Sequence, residues 1–533
     1  MTSLRVVKLP SRPPSADSIT LCVAAMLATV VTLPAFGSVP IWDGRVYAEC
    51  LLNVVYGAHP SAIACADHPT LVYLGALLPG QLISRGSSAL LHLSNLALHI
   101  LGLWGFGRVL GVCLRGPEHA RLRALALFAA AAHPMVLGTL FHTNPDTGVY
   151  AFAFALLGTT IGAPLRERTA PAILAGLGLC FSKEPGIAVA LVIASGVMVA
   201  APKWRTWRGA FALALPPALA VGWILWARLS GVQQPWTGSG PGARFLGFAP
   251  LAWDDPTFRA YFVGIFLLGF GWLVTGVTIT DAIVGASRLV RRLPPRRSSG
   301  FDGRVAIVLV AIAVVVTMGL TSYHTFHNLR YFLVLYPLWL LLGVLALVRL
   351  GVPARTRELV VGVWLGANLL GTWTSVDPVS RAFYGTFDAG QMRMYEMTSL
   401  TGECCGLGQD QLVYNLQYTG FSYAQDALFQ ALAPTMETVI VGPGQVSWHA
   451  FTQLESKTHM RTLRRTDAYK PVFTQTRTVL LYRQLVPEFW FIDMPNTDND
   501  SVRTALREFY DERNAVTRTS HGVSITARQF VRR

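Results

Sequence analysis

The chain has 533 residues, 52% of them hydrophobic and 14% charged, with a formal net charge of +15. That is more apolar surface than a soluble fold can bury, so the composition indicates a membrane protein and excludes an ordinary soluble enzyme. The positive balance calls for no nucleic acid, because the basic residues gather in short loops between apolar runs, where anionic headgroups attract them.

A membrane-crossing helix needs about 20 mostly apolar residues, and about eleven runs qualify. They lie at 17–39, 87–113, 123–141, 146–163, 170–182, 185–201, 210–228, 259–287, 304–321, 331–349 and 358–375. The first, "ITLCVAAMLATVVTLPAFGSVP", is longer than the apolar part of a cleaved leader and no small-x-small site follows, so it reads as a retained anchor. The fifth and sixth share one apolar stretch broken by "FSKEPG". Two half-length helices meeting at a turn fit this better than one helix carrying Lys183, Glu184 and Pro185 through hydrocarbon. The polar residues deep in the second run, His92, Asn95 and His99, are explained by helix packing.

Orientation follows from the basic residues. By count, roughly twenty fall on the side holding the N-terminus, "RGPEHARLR", "KWRTWR" and "RLVRRLPPRR", against about six on the other. The N-terminus is therefore expected in the cytoplasm and everything beyond residue 376 outside, together with the loops at 40–86, 142–146, 182–185, 229–258 and 322–330. A multi-pass protein of a bacterial inner membrane is the expected setting.

Past the last run the composition changes. Residues 1–376 form the transmembrane domain, 377–408 a polar linker, and 409–533 a soluble extracytoplasmic domain. In that tail "QLVYNL", "ETVIVG", "RTVLLYRQL" and "EFWFID" read as strands, "SYAQDALFQAL" and "SVRTALREFYDE" as helices, and "AVTRTSHGVSITARQF" as a hairpin. The predicted fold class is a polytopic α-helical membrane protein with a small C-terminal α/β extracytoplasmic domain. No internal repeat of the kind found in transporters is visible. Of the seven cysteines, Cys22, Cys113 and Cys180 fall in or at the ends of apolar runs. Cys50 and Cys65 share an external loop, where an oxidising compartment allows a disulfide that spacing alone does not decide.

Loop lengths exclude one chemistry. A membrane synthase using a nucleotide-activated sugar needs a sizeable cytoplasmic catalytic domain, and the cytoplasmic segments here are all short. The "DND" at Asp498 to Asp500 imitates a metal motif but directly precedes a predicted helix, where such residues serve as caps.

The polar groups at external ends of the runs are more specific. Asp43, in "IWDGRVYAECLLNVV", follows the first run, and Asp67 and His68 close the first loop. His142, Asn144 and Asp146 open the fourth run, Lys183 and Glu184 occupy the turn, and His324, His327 and Arg330 precede the tenth. A charge at a helix end is usually only solvated. Together, these carboxylates, imidazoles and cations suit a lipid with an anionic head.

The ordered segments "WDGRVYAE", "DHPTLVYLGALL", "HTNPDTGVYAFAFALLG", "GLGLCFSKEPGI" and "NLRYFLVLYPLWLLL", from Trp42 to Leu342, resemble the GT-C superfamily of polyprenyl-phosphate-sugar glycosyltransferases. The likeness is to the branch of protein O-mannosyltransferases and the lipid A aminoarabinose transferase. The chain departs from the family where Asp43 precedes Gly44 instead of a glutamate, and where Thr70 replaces the second proline after His68. The missing glutamate leaves the acceptor class open.

The resemblance implies inverting direct displacement on the extracytoplasmic face, from a polyprenyl-phosphate-linked sugar to a hydroxyl on a glycan, lipid or protein acceptor. In that reaction Asp43 would be the general base, because a high-pKa hydroxyl needs a carboxylate within reach. Lys183 and Arg330 would stabilise the departing lipid phosphate. Asp146 would orient the acceptor or Lys183, and Asp67, His68 and Tyr331 complete the substrate-binding candidates. Neither cofactor nor metal is expected, since His324 and His327 lack a third ligand nearby. Membrane lipids are the remaining partners. The competing readings are a flippase for a lipid-linked sugar and a binding scaffold without catalysis.

Overall fold

The computed structural model describes residues 16–36, 43–55, 70–141, 143–161, 165–230, 262–291, 303–321, 329–372, 377–389 and 392–395. In the tail it describes 424, 427–428, 430–432, 440–442, 472–473, 487–493, 503–504, 506–520 and 523–533. The candidates Asp67, His68, His142, His324 and His327, the cysteines Cys65, Cys404 and Cys405, and the expected strands at 411–416 and 477–485 lie outside the described residues, as does the "DND".

The helices are α1 (Ala16–Thr32), α2 (Asp43–Val55), α3 (Leu71–Ser84), α4 (Ser88–Cys113), α5 (Ala120–Ala131), α6 (Pro134–Phe141), α7 (Pro145–Thr160) and α8 (Leu165–Cys180). There follow α9 (Glu184–Ala200), α10 (Trp207–Leu229), α11 (Gly271–Val290), α12 (Gly303–Thr321), α13 (Leu335–Arg349), α14 (Ala354–Gly371) and the short α15 (Pro378–Tyr384). Each of the apolar runs read from the sequence coincides with a helix or a helix pair. By length and composition three of these helices can cross a membrane alone, Ser88–Cys113, Trp207–Ala227 and Gly271–Val290, and a bent pair makes up to four. The outer faces are apolar, with Leu174, Ile283 and Leu359 each more than half exposed, as a lipid-facing surface requires and a wetted one does not.

Three departures from the sequence reading have physical causes. The segment expected to be the first external loop contains α3, whose fourteen residues span only about 21 Å at a 1.5 Å rise, too short for the hydrocarbon core. Its Tyr73, Leu74, Leu77 and Gln81 are buried. The helices flanking "FSKEPG" are 16 and 17 residues long, about 24–26 Å each, so they are close to full spans and not half-helices. The third run is broken instead, bending by 46° between Ala131 and Pro134, since proline's ring and missing N–H stop a helix from continuing through it.

That break and the end of α6 leave carbonyls without helical partners, and the deep polar side chains of α4 supply them. Asn95 Nδ2 donates to the Leu140 carbonyl at 3.1 Å, with His92 Nδ1 3.4 Å from the same oxygen. His99 Nε2 lies 3.4 Å from the Ala131 carbonyl, and Asn368 Nδ2 of α14 donates to Ala129 at 2.7 Å. The packing role expected for His92, Asn95 and His99 thus takes a definite form.

One apolar core runs through the body. Helices α4 and α7 cross most closely at two glycines: the Gly105 Cα would lie 2.8 Å from a Cβ built on Gly158, and a Cβ on Gly105 would overlap the Phe154 carbonyl. Backbones in hydrocarbon approach this closely only through small residues. At the foot of the body, buried Asp377 accepts from the Phe270 amide at 3.2 Å, Trp272 Nε1 at 3.0 Å, and the Val379 and Ser380 amides at 3.1 and 2.9 Å. It both caps α15 and fastens it to the start of α11.

The tail strands are β1 (Thr386–Ala389), β2 (Met392–Tyr395), β3 (Ile440–Gly442), β4 (Val472–Phe473), β5 (Glu488–Asp493), β6 (Tyr510–Ser520) and β7 (Val523–Arg532). A five-stranded mixed sheet has the order β4-β3-β5-β7-β6, with β3 parallel to β4 and β5 and the other pairs antiparallel. Phe489, Phe491, Leu506, Tyr510 and Phe530 pack as its core. The stretch read as linker contains the hairpin β1–β2. The helix expected over "SVRTALREFYDE" gives way to β6 at Tyr510, because Tyr510 is needed edge-on to Phe489 in the core.

Gly105→Ala should therefore lower thermal stability in detergent by about 1–3 kcal/mol. Gly111→Ala, with open space around its Cβ position, should leave it unchanged. Equal melting temperatures for both would show that the α4–α7 crossing tolerates separation.

Candidate active site

Chain breaks gather at one end of the body. They are the start of α3, the start of α7, the turn between α8 and α9, and the single 3-10 turn Leu329–Phe332 before α13. The Val72 amide donates to the Phe181 carbonyl at 3.1 Å, joining the α3 start to the α8–α9 turn. A Cβ on Gly148 would lie 2.5 Å from Ser182 Oγ and 3.0 Å from Tyr73 Cδ2, so the bare backbone of α7 lets the three segments meet.

Local sequence sets each terminus. Asn144 caps α7, its side chain accepting from the Asp146 amide at 3.2 Å, with Pro145 opening the helix. Asp146 then stands in the first turn, where the helix dipole favours an acid. Lys183 is the extended N-cap of α9, followed by Glu184 and Pro185. In this way proline-started helices aim an acid and a cation at each other.

The result is a buried ion cluster. Lys183 Nζ donates to both Asp146 oxygens at 3.1 Å, and Arg330 Nε lies 3.5 Å from Asp146 Oδ2. Lys183 Nζ also sits 4.1 Å from the Tyr331 ring centroid and Arg330 Cζ 5.8 Å from it, an additional attraction of ammonium and guanidinium to the ring quadrupole. Side-chain exposure is 8% for Lys183, 5% for Asp146 and 4% for Arg330. Asp146 is thus shared by two cations away from water, where charges act far more strongly on one another than at a wetted surface.

Four sequence candidates, Asp146, Lys183, Arg330 and Tyr331, are thus brought into contact. Their depth differs from the expectation of cations at an interface, since all three charged groups are buried. Asp43 is the first residue of α2, its side chain outside the described ones. Helix α2 packs on α3, whose N-terminus belongs to this site. Cys50 of α2 is disulfide-bonded, to a partner outside the described residues. Among the described residues no three His, Cys, Asp or Glu side chains converge as a metal site would require.

Sequence reading missed several threonines here. Thr143, at a φ of +47°, is β-branched in the left-handed region, a strained position of the kind found where geometry is imposed by a site. The hydroxyls of Thr70, Thr143 and Thr147 are buried without a hydrogen-bond partner among the described residues. Nothing in the pattern "HTNPDTG" marks threonine as strained, so no sequence signal could have found it.

No protein-family model and no curated protein matches the chain. Among solved structures it is similar to ArnT from Cupriavidus metallidurans bound to undecaprenyl phosphate, at a TM-score of 0.53 and 13% identity over 96% of this chain and 97% of that one. A likeness to the Archaeoglobus fulgidus oligosaccharyltransferase complexed with Zn and sulfate, with a TM-score of 0.42 and 14% identity over 83% of this chain and 61% of that one, carries no argument. Over nearly its whole length this membrane protein has the fold of ArnT. The likeness is one of fold.

Removing one member of a buried ion pair strands the other. Lys183→Met and Asp146→Asn should each cost about 3–5 kcal/mol of stability in detergent. The double variant should cost less than the sum by about 1–3 kcal/mol. Strictly additive losses in melting experiments would mean that the two side chains do not support each other.

Proposed function

We propose that the protein is an integral-membrane glycosyltransferase moving a sugar from a polyprenyl-phosphate donor to an acceptor hydroxyl on the extracytoplasmic face. The observation that carries this reading is the buried cluster of Lys183, Arg330, Tyr331 and Asp146 in a chain with the ArnT fold. The solved ArnT structure contains undecaprenyl phosphate, and two buried cations side by side suit a phosphate of that kind.

In the proposed step the acceptor oxygen attacks the anomeric carbon while the bond from that carbon to the phosphate oxygen breaks. The configuration inverts and the acceptor proton passes to a carboxylate. Asp43, at the head of α2, is the proposed base. The leaving phosphate gains charge as the bond breaks, so Lys183 and Arg330 stabilise the transition state more than the ground state. Asp146 holds both cations in place beforehand. The N-terminus of α9 adds a favourable dipole toward the same phosphate. Thr143 and Thr147 offer hydroxyls for the sugar or the phosphate. Asp67 and His68 remain proposed substrate contacts, and the tail beyond residue 376 is proposed to lie outside the cytoplasm beside the acceptor.

A flippase calls for polar groups near the bilayer midplane and related halves. The deep polar residues His92, Asn95 and His99 lie against the carbonyls of Leu140 and Ala131, which supports the transferase reading over it. Purified protein incubated with a panel of radiolabelled polyprenyl-phosphate sugars should release label to a hydroxyl acceptor or to water with one or more donors. Absence of transfer and hydrolysis across the panel would remove the enzymatic reading.

Asp43→Asn keeps the side chain's size and much of its hydrogen bonding but cannot take the proton. Turnover should fall by about a hundredfold or more with donor binding little changed, while Glu49→Gln stays mild. If Asp43→Asn keeps near-normal turnover, another carboxylate is the base. A reporter fused after residue 376 should be active only in its extracytoplasmic form, and cytoplasmic activity would reverse the orientation.

A further inference from the structure

The far end of α9 has a feature that the transfer reaction does not use. This helix has 17 residues, about 25 Å at a 1.5 Å rise, so its last turn lies toward the opposite membrane face from Lys183. Between that turn and the first turn of α10, the residues Met198, Val199, Arg205, Thr206, Trp207 and Ala210 line an open groove of about 500 Å³. Its walls are largely apolar and its rim is basic.

Arg205 is fixed in position: Nε donates to the Met198 carbonyl at 2.6 Å and Nη2 to the Val199 carbonyl at 2.8 Å. These are carbonyls that the end of α9 leaves open. A guanidinium has five N–H donors, and these two bonds leave the others for a ligand. Lys203 and Arg208 flank it, both exposed, and Arg208 lies over the Trp207 ring at 5.4 Å. Among the described residues none of the three cations has an ion-pair partner. Trp207 is 74% exposed, which suits an indole at a membrane–water boundary. From the groove an exposed apolar strip continues along both helices through Val199 and Leu191 of α9 and Phe211 of α10.

We propose that this groove binds an anionic glycerophospholipid of the leaflet opposite the sugar-transfer site, its phosphate on Arg205 with Lys203 and Arg208 nearby and its acyl chains along Val199, Leu191 and Phe211. A soluble phosphate would leave the apolar strip unused, and a zwitterionic lipid would leave the cationic rim uncompensated. The proposal rests on the body being membrane-embedded and is independent of the transfer activity.

The test uses the full-length protein in phosphatidylcholine nanodiscs, titrated with phosphatidylglycerol brominated on its chains. Tryptophan quenching is read as the difference between the unaltered protein and Trp207→Phe. Half-maximal quenching of the Trp207 signal should need about tenfold less brominated phosphatidylglycerol than brominated phosphatidylcholine. Each cation near the surface contributes at most roughly a fivefold preference for anionic lipid, so Arg205→Gln with Arg208→Gln, which leaves only Lys203, should cut the selectivity to about twofold. Lys203→Gln with Arg208→Gln breaks none of the hydrogen bonds to α9 and should still weaken it several-fold, which separates lipid binding from folding. Inorganic phosphate at millimolar concentration should not relieve the quenching. Equal quenching by both lipids, unchanged selectivity in the Lys203/Arg208 variant, or relief by phosphate would each overturn the proposal.

Discussion

A backbone that leaves the helix inside a membrane protein must find partners for every N–H and C=O it frees, since hydrocarbon supplies none. This constraint organises the structure. Where the third apolar run breaks before Pro134, His99 and Asn368 approach the freed carbonyls, and where α6 ends Asn95 and His92 approach that of Leu140. Where four other segments break together, the ends are closed by Asn144, by the bond from Val72 to Phe181, and by the ion cluster around Asp146. Irregular backbone is tolerated there because it surrounds a polar interior, the usual place for a binding site in a membrane fold.

The cluster's charge follows from the same economy of partners. A lone buried lysine or arginine would be costly to keep charged, and a carboxylate between them relieves both. Asp146 is shared between Lys183 and Arg330. In the proposed reaction a lipid phosphate meets the same two cations, and its demand on them grows as its bond to the sugar breaks. Positioning and electrostatics then come from the same side chains, held by helices whose starts are fixed by Asn144, Pro145 and Pro185.

Hydrophobic runs made the helices legible in the sequence, since length and apolar content determine where a chain can be helical in a membrane. Proline-led motifs at Asp146 and Lys183 made two members of the site legible, Arg330 followed from its place before an apolar run, and Tyr331, the first residue of that run, entered through the family resemblance. What could not be read is instructive. Helix α3 was hidden because fourteen apolar residues look like the approach to the next span. The depth of the cluster was hidden because pairing depends on residues 37 positions apart, as in Asp146 and Lys183. The strained backbone at Thr143 and the β6 start at Tyr510 are decided by tertiary packing and leave no local pattern.

The central claim is that Lys183 and Arg330, held by Asp146, receive the phosphate of a polyprenyl donor. The most direct measurement is a cryo-electron microscopy map of the purified protein with undecaprenyl phosphate. The account predicts phosphate density within hydrogen-bonding distance of Lys183 Nζ and the Arg330 guanidinium, with the polyprenyl chain leaving along the apolar surface. Phosphate density elsewhere, with the Asp146 cluster unchanged and out of reach of the lipid, would contradict it.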